Sequence, residues 1–150
     1  MASGDKHIVE IPVDDRKSID AITATVVELS VATAEQRKLF WQLNGASWAP
    51  PMTIEQYLGR EETLRQTELS EHGGTTYYVL TAKGYPDRVV SGCEVTSKTV
   101  VIAEDGKVKE AKAYSIASVF TNPEYRGKGM AAWMLKRIQG ASVPLRAQVC

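Results

Sequence analysis

The sequence has little cysteine, little histidine, no net charge and no long apolar run. Its two cysteines, Cys93 and Cys150, are far apart and fit no metal-binding or redox spacing. Its two histidines, His7 and His72, are isolated from each other and read as surface residues. Eighteen basic side chains balance eighteen acidic ones, which argues against a broad electrostatic grip on nucleic acid or on an anionic membrane. No window approaches the roughly 20 apolar residues of a membrane span. The opening residues MASGDKHIVEIPVDD are acidic and lack a long apolar stretch. They resemble neither a secretory signal nor a basic transit peptide. No metal is expected, and the expected compartment is reducing and cytoplasmic.

What is present suits one soluble domain. A chain of 150 residues buries roughly 70% of its unfolded surface, enough for a real core. Residues 1–20 are polar, with a short extended piece at His7–Val13, and read as an extended lead-in. Residues 21–139 carry the periodic elements. Residues 140–150 form a short tail.

Ile22–Val31 is rich in β-branched residues and predicts a strand. Thr33-Ala34-Glu35-Gln36 matches a capping box and opens a helix over about Ala34–Leu43, which Asn44-Gly45 should end. A second capping box, Thr53-Ile54-Glu55-Gln56, opens a helix to about Leu69, with Ile54, Tyr57, Leu58 and Leu64 along one side. Thr75–Thr81 predicts a strand. After a turn at Gly84–Asp87, Arg88–Ala103 predicts a long strand with Gly92 as a candidate bulge. Asp105-Gly106 signals a tight hairpin into a second long strand, Val108–Thr121. A helix is expected from about Gly127 to Gln139, burying Met130, Met134 and Ile138, with Lys136 and Arg137 in its last turn. The fold class is α+β: an antiparallel meander with helices on both faces.

The stretch VFTNPEYRGKGMAAWMLKRI (residues 119–138) carries the chemistry. A strand end runs through Asn122-Pro123 into a turn holding Arg126, Gly127, Lys128 and Gly129, and then into a helix. The first turn of a helix has free N–H groups and the positive end of the dipole. Glycines let an oxyanion approach those groups closely. No Ser, Thr, Asp or Asn stands at the helix start, and two cations sit where the dipole prefers acids. An anion would satisfy both. The spacing is neither that of a nucleotide P-loop nor that of a dinucleotide fingerprint. By itself, a Gly-rich strand-to-helix turn is more often only a turn.

With Arg126, Gly129 and Ala131 in the pattern Arg/Gln-x-x-Gly-x-Gly/Ala, and Pro123-Glu124-Tyr125 before it, the sequence resembles the GCN5-related N-acetyltransferase (GNAT) superfamily. The element order agrees over roughly Ile22–Gln139. ELSVATAEQRKLFWQLNGASWAPPMTIEQYL together with YSIASVFTNPEYRGKGMA is similar in character to the fungal lysine N6-acetyltransferase group. The resemblance implies acetyl-CoA as co-substrate, with its pyrophosphate on the N–H groups of Arg126, Gly127, Lys128, Gly129, Met130 and Ala131. It places the pantetheine arm beside Val119, Phe120 and Thr121, and gives the Val119 N–H to the thioester oxygen. The acetyl group would pass directly to an amine such as the lysine side chain, which must first lose a proton. Glu94 is the candidate base, although a mid-strand carboxylate is more often a solvent-facing residue; Glu110, nearer the hairpin, is a weaker one. Trp41, Trp48 and Tyr57 would wall the acyl site or simply pack the core, and Tyr125 would stack near CoA or pack the turn.

The family continues after this helix with a strand, a helix and a hairpin, and with a tyrosine for the leaving thiolate. Gly140–Cys150 leaves room for no more than one short strand of that set, where Leu145, Ala147 and Val149 alternate with polar residues, and so short a run is more often not a strand. The chain is therefore expected to be C-terminally truncated, with the Tyr114–Phe120 strand as an open edge that a dimer or an edge-strand partner would cover. The competing expectations are a catalytically incomplete fragment that binds CoA or a partner, and an unrelated α+β domain whose glycine turn is structural.

Overall fold

The computed structural model describes residues 7–10 and 26–141. In chain order these form β1 (His7–Glu10), β2 (Val26–Val31), α1 (Ala34–Trp48), α2 (Ile54–Arg65), β3 (Thr75–Ala82), β4 (Tyr85–Glu104), β5 (Lys107–Thr121) and α3 (Met130–Ala141). The strands make one antiparallel sheet in the order β1-β2-β3-β4-β5. This is the expected α+β meander. Residues 22–25 of the first expected strand, 11–13 of the extended piece, and the tail from residue 142 on, with Leu145, Ala147, Val149 and Cys150, lie outside the described residues.

Both capping boxes form. The Thr33 hydroxyl accepts from the Gln36 N–H at 3.2 Å, and the Gln36 amide oxygen accepts from the Thr33 N–H at 3.0 Å. Thr53 and Gln56 repeat this at 3.2 and 2.9 Å. α1 then runs past its expected end to Trp48. Asn44 and Gly45 do not stop it, because tertiary contacts claim both. The Asn44 side chain accepts from the Tyr57 hydroxyl at 2.9 Å, and a side chain at Gly45 would overlap Ile54 Cδ1. α2 stops at Arg65, short of Leu69, and the chain continues in turns to Gly74. Its buried stripe is Tyr57 and Glu61, one helical turn apart, while Ile54 and Leu64 are exposed.

The sheet has two covered faces. On one, α1 and α2 bury Phe40, Trp41 and Tyr57 against Tyr77, Val79, Val89 and Phe120. On the other, α3 buries Met130, Met134 and Ile138 against Val27, Leu29, Leu80, Val90, Cys93 and Val95. Successive strand residues alternate between the two layers, as a pleat requires. The expected apolar side of α3 is therefore the observed one. Lys136 and Arg137 are not in its last turn, because the helix continues to Ala141.

Gly92 is not itself a bulge. It pairs in register with Val79 and with Phe120. Irregularities lie on either side of it. One sets Val90 as an extra residue between Ser91, opposite Leu80, and Val89, opposite Thr81. The other sets Ser118 and Val119 of β5 opposite the single residue Cys93. At Asp105-Gly106 both residues have positive φ, 52° and 70°, the requirement of a two-residue hairpin turn.

Candidate functional site

β5 ends at Thr121, and Asn122 fastens the next turn to β4. Its N–H donates to the Val90 carbonyl at 2.9 Å and its Nδ2 to the Val89 carbonyl at 3.3 Å, while its Oδ1 accepts from the Glu124 N–H at 3.3 Å. Tyr125 is buried in the α3-side core, so it packs the turn. Arg126 donates from Nε to the Thr121 carbonyl at 3.0 Å and lies over the Phe120 ring at 5.2 Å. That anchors its guanidinium at the strand end.

The helix starts three residues later than expected. Gly127 and Gly129 have φ of +77° and +71°, values outside a right-handed helix and open to glycine. The first backbone bond closing on the helix runs from the Trp133 N–H to the Gly129 carbonyl, at 2.9 Å. The N–H groups from Gly127 through Ala132 find no acceptor among the described residues. No side chain among the described residues caps them. Nothing lies within 4 Å of where a Cβ would stand at Gly127 or Gly129, so the turn's outer surface is open. Arg126 and Lys128 flank it, both exposed. Residues 126–131 thus follow Val119–Thr121 after the intervening turn of Asn122 and Pro123–Tyr125, at the end of the sheet's last described strand.

Around the second bulge the backbone is strained. Ser118 has φ +53°, which costs a residue with a side chain roughly 1–2 kcal/mol. A bulge leaves one residue's backbone out of the ladder, here within Ser118-Val119. Val119 is exposed, whereas Phe120 turns inward and meets Trp48 edge-on at 5.6 Å. Trp41 and Tyr57 belong to the core beneath.

Glu94 stands on β4 directly opposite Tyr77 on β3 and Ala117 on β5. Its carboxyl is pushed above the ordinary carboxylate range by burial; a hydrogen bond from the Ser118 side chain works in the opposite direction. Glu61, from α2, faces the same region. Burial raises it, Arg60 at 3.2 Å lowers it, and Glu94 raises it again. Burial pushes the Tyr77 hydroxyl up to about 12, with Glu94 adding to the shift. A carboxylate that binds its proton more tightly, beside a strained strand and under two helices, is fit to take a proton from an amine. Glu110 takes no part. It is exposed on the distal hairpin, opposite Val101.

Sequence reasoning missed Glu61, Ser118 and Arg37. Glu61 sits one helical turn after Tyr57 on a helix whose charged residues look uniformly solvated, and Ser118 carries no sequence mark of a bulge. Arg37 is one of many basic residues until folding stacks it on Trp41 and Tyr77, at 5.3 and 5.5 Å from the ring centres. Among the described residues no group of His, Cys, Asp and Glu could hold a metal, and no helix is long and apolar enough to cross a membrane.

No protein-family model matches the chain. It is 30% identical to a lysine acetyltransferase of Yarrowia lipolytica, over 66% of this chain and 25% of that protein. It is 29% identical to an uncharacterized protein of Saccharomyces cerevisiae, over 63% of this chain and 30% of that one. The chain thus spans about a quarter to a third of the curated relatives it matches. Among solved structures it is similar to a putative acetyl transferase from Pyrococcus furiosus, with TM-score 0.52 and 17% identity over 76% of this chain and 72% of that one. It is likewise similar to the aminoglycoside 6'-N-acetyltransferase AAC(6')-Ih of Acinetobacter baumannii, with TM-score 0.51 and 13% identity over 75% and 69%.

Proposed function

We propose that this chain, by its fold a member of the GCN5-related N-acetyltransferase superfamily, holds acetyl-CoA and carries the proton-accepting wall of an N-acetyltransferase. The observation that carries the reading is the run of N–H groups from Gly127 to Ala132 with no acceptor among the described residues. Donors so placed, at a helix start flanked by Arg126 and Lys128, suit a diphosphate. Open space over Gly127 and Gly129 lets it approach. The residues present therefore fit the group.

Acetyl-CoA, when bound, supplies the acetyl group as an activated thioester. The chain's own residues do the rest. N–H groups over residues 127–131 would hold the pyrophosphate; the Arg126 N–H, expected among them, is taken by the Pro123 carbonyl at 3.3 Å, so Arg126 would offer only its side chain. The backbone of Val119, Phe120 and Thr121 would align the pantetheine arm along the strand. The Val119 N–H, in the bulge opposite Cys93, would face the oxygen on which charge develops, where a fixed donor is worth most. Glu94 would take the proton from the acceptor amine, directly or through a water, so that the nitrogen lone pair can attack. The name of the Yarrowia lipolytica relative, with the sequence character of the two stretches around α1 and β5, favours the lysine side-chain amine as acceptor, and the resemblance to the superfamily implies direct transfer as the route.

Titration calorimetry of the purified chain with CoA tests the reading. Saturable binding is expected, and Gly129→Val should abolish it by placing a branched side chain over the free N–H groups. A Gly129→Val protein that binds CoA as the parent does would overturn the cradle. Release of CoA thiol from acetyl-CoA, dependent on added lysine, tests the transfer.

A further inference from the structure

The hairpin of β4 and β5 outgrows the rest of the sheet. β3 begins its pairing at Thr75, opposite Thr96, while β4 and β5 run on together from Ser97 opposite Tyr114 to Glu104 opposite Lys107. This ribbon has no third strand among the described residues. A two-stranded ribbon is only marginally stable by itself in water. Ser97 fixes which way the β4 backbone points there, because its N–H donates to the Gly74 carbonyl at 2.8 Å, on the β3 side. Backbone groups alternate sides along an antiparallel strand. Thr99, Val101 and Ala103 therefore turn their N–H and C=O groups to that same side, where no strand meets them among the described residues. Edge strands are commonly blunted by a proline, a bulge or an inward charge. Between Lys98 and Glu104 this edge reads Thr-Val-Val-Ile-Ala, pairs with β5 in unbroken register, and leaves Val101 67% exposed.

The order of residues on this edge is complementary to itself. Two copies of one strand paired antiparallel are related by a two-fold axis, and the axis must pass through a residue if side chains are to keep their faces. With the axis at Val101, Val101 meets its own counterpart, Thr99 meets Ala103, Val100 meets Ile102 and Lys98 meets Glu104. Moving the axis by one residue either way sets Glu104 against Thr96 or Val100 and loses the charge match. We propose that this chain pairs with a second copy of itself along the β4 edge, over Lys98–Glu104, in antiparallel register about Val101. The sheet then runs unbroken through both copies, and the outward N–H and C=O groups of Thr99, Val101 and Ala103 are satisfied by those of the second copy. Each Lys98 reaches the other copy's Glu104, a carboxylate that already holds Lys109 of its own chain at 2.6 Å. The pairing is independent of the acyltransferase reading. Phe120 and Thr121, which lead into the glycine turn, lie at the other end of the hairpin, opposite Gly92 and Ser91.

Sedimentation of the whole chain over a concentration series tests the pairing. The expected species is a dimer that dissociates on dilution. Val101→Pro removes an outward N–H, at a place where an edge strand accepts proline, and should leave a monomer with the parent's far-UV circular dichroism. Two charge variants at exposed positions give a second measurement that does not depend on the proline. Lys98→Glu and Glu104→Lys each set like charges opposite one another on both sides of the axis, so each should raise the dissociation constant by about tenfold. An equimolar mixture of the two variants restores both attractive pairs and should dimerise as tightly as the parent. A parent that is monomeric at every concentration, a Val101→Pro protein that dimerises like the parent, or a mixture that associates no more tightly than its two components would overturn the inference.

Discussion

The ring of Phe40 occupies the space where a side chain at position 92 would stand: a Cβ built on Gly92 would lie 2.7 Å from Phe40 Cδ2 and 3.1 Å from the Tyr78 carbonyl oxygen. Gly92 is therefore a packing device under α1. Gly92→Ala should destabilise by about 1–3 kcal/mol, the usual cost of overpacking, read as a lower midpoint in urea with an unchanged slope. Phe40→Leu in the same chain should recover part of that loss in a double-mutant cycle. Additive losses would show that the two positions do not share the space.

Ser118 sets a second expectation, about strain. Its φ of +53° suits glycine, so Ser118→Gly should stay within about 0.5 kcal/mol of the parent. Ser118→Val should lose about 2 kcal/mol, because a β-branched residue tolerates that conformation least. Equal stabilities for the two variants in thermal unfolding would contradict the bulge.

Glu94 makes stability depend on pH with a definite sign. Burial raises its folded pKa above the ordinary carboxylate value, so the folded protein holds this proton more tightly than the unfolded chain does. Its contribution to stability is then fully present below the unfolded pKa and is lost as pH rises through the folded one. Stability of Glu94→Gln should lack this fall, and the difference between the two proteins should open from about pH 4.5 upward. Ser118→Ala removes a hydrogen bond that favours the ionised form and should move the fall to higher pH. In the transfer reaction Glu94→Gln should lower the rate by roughly 10²–10⁴-fold, the typical share of a positioned proton acceptor. The parent's rate should decline as pH drops through the same raised pKa. A pH–rate profile shared by parent and variant would remove Glu94 from the reaction.

The seam between the first two helices gives a fourth expectation. Tyr57 donates to Asn44 at 2.9 Å in a buried site, and the Asn44 Nδ2 is already without a partner. Tyr57→Phe would leave the Asn44 Oδ1 unpaired as well and should cost about 1–3 kcal/mol in chemical denaturation. Adding Asn44→Leu should recover part of this, since removing both polar partners costs less than removing one.

Much of the architecture was legible because it is written locally. A hydroxyl and an amide three residues apart cap α1 and α2, Asp105-Gly106 turns the hairpin, and the spacing of Met130, Met134 and Ile138 marks the face of α3. The glycine turn was legible too, through the mismatch of two cations with a helix start, although its two left-handed glycines delay the helix to Met130. Where local signs failed, a distant partner had overruled them. Asn44-Gly45 reads as a helix end until Tyr57 and Ile54 pack on it, and Gly92 reads as a bulge until Phe40 fills its place.

The sequence by itself determined the order of elements, the apolar faces and the open turn after Tyr125, because each depends on residues within one or two turns of each other. Only the tertiary structure decided which charges meet. Glu94, Glu61 and Ser118 come from three elements. Strand register and helix docking bring Glu94 and Glu61 into one low-dielectric region, where burial makes both carboxyls hold their protons more tightly.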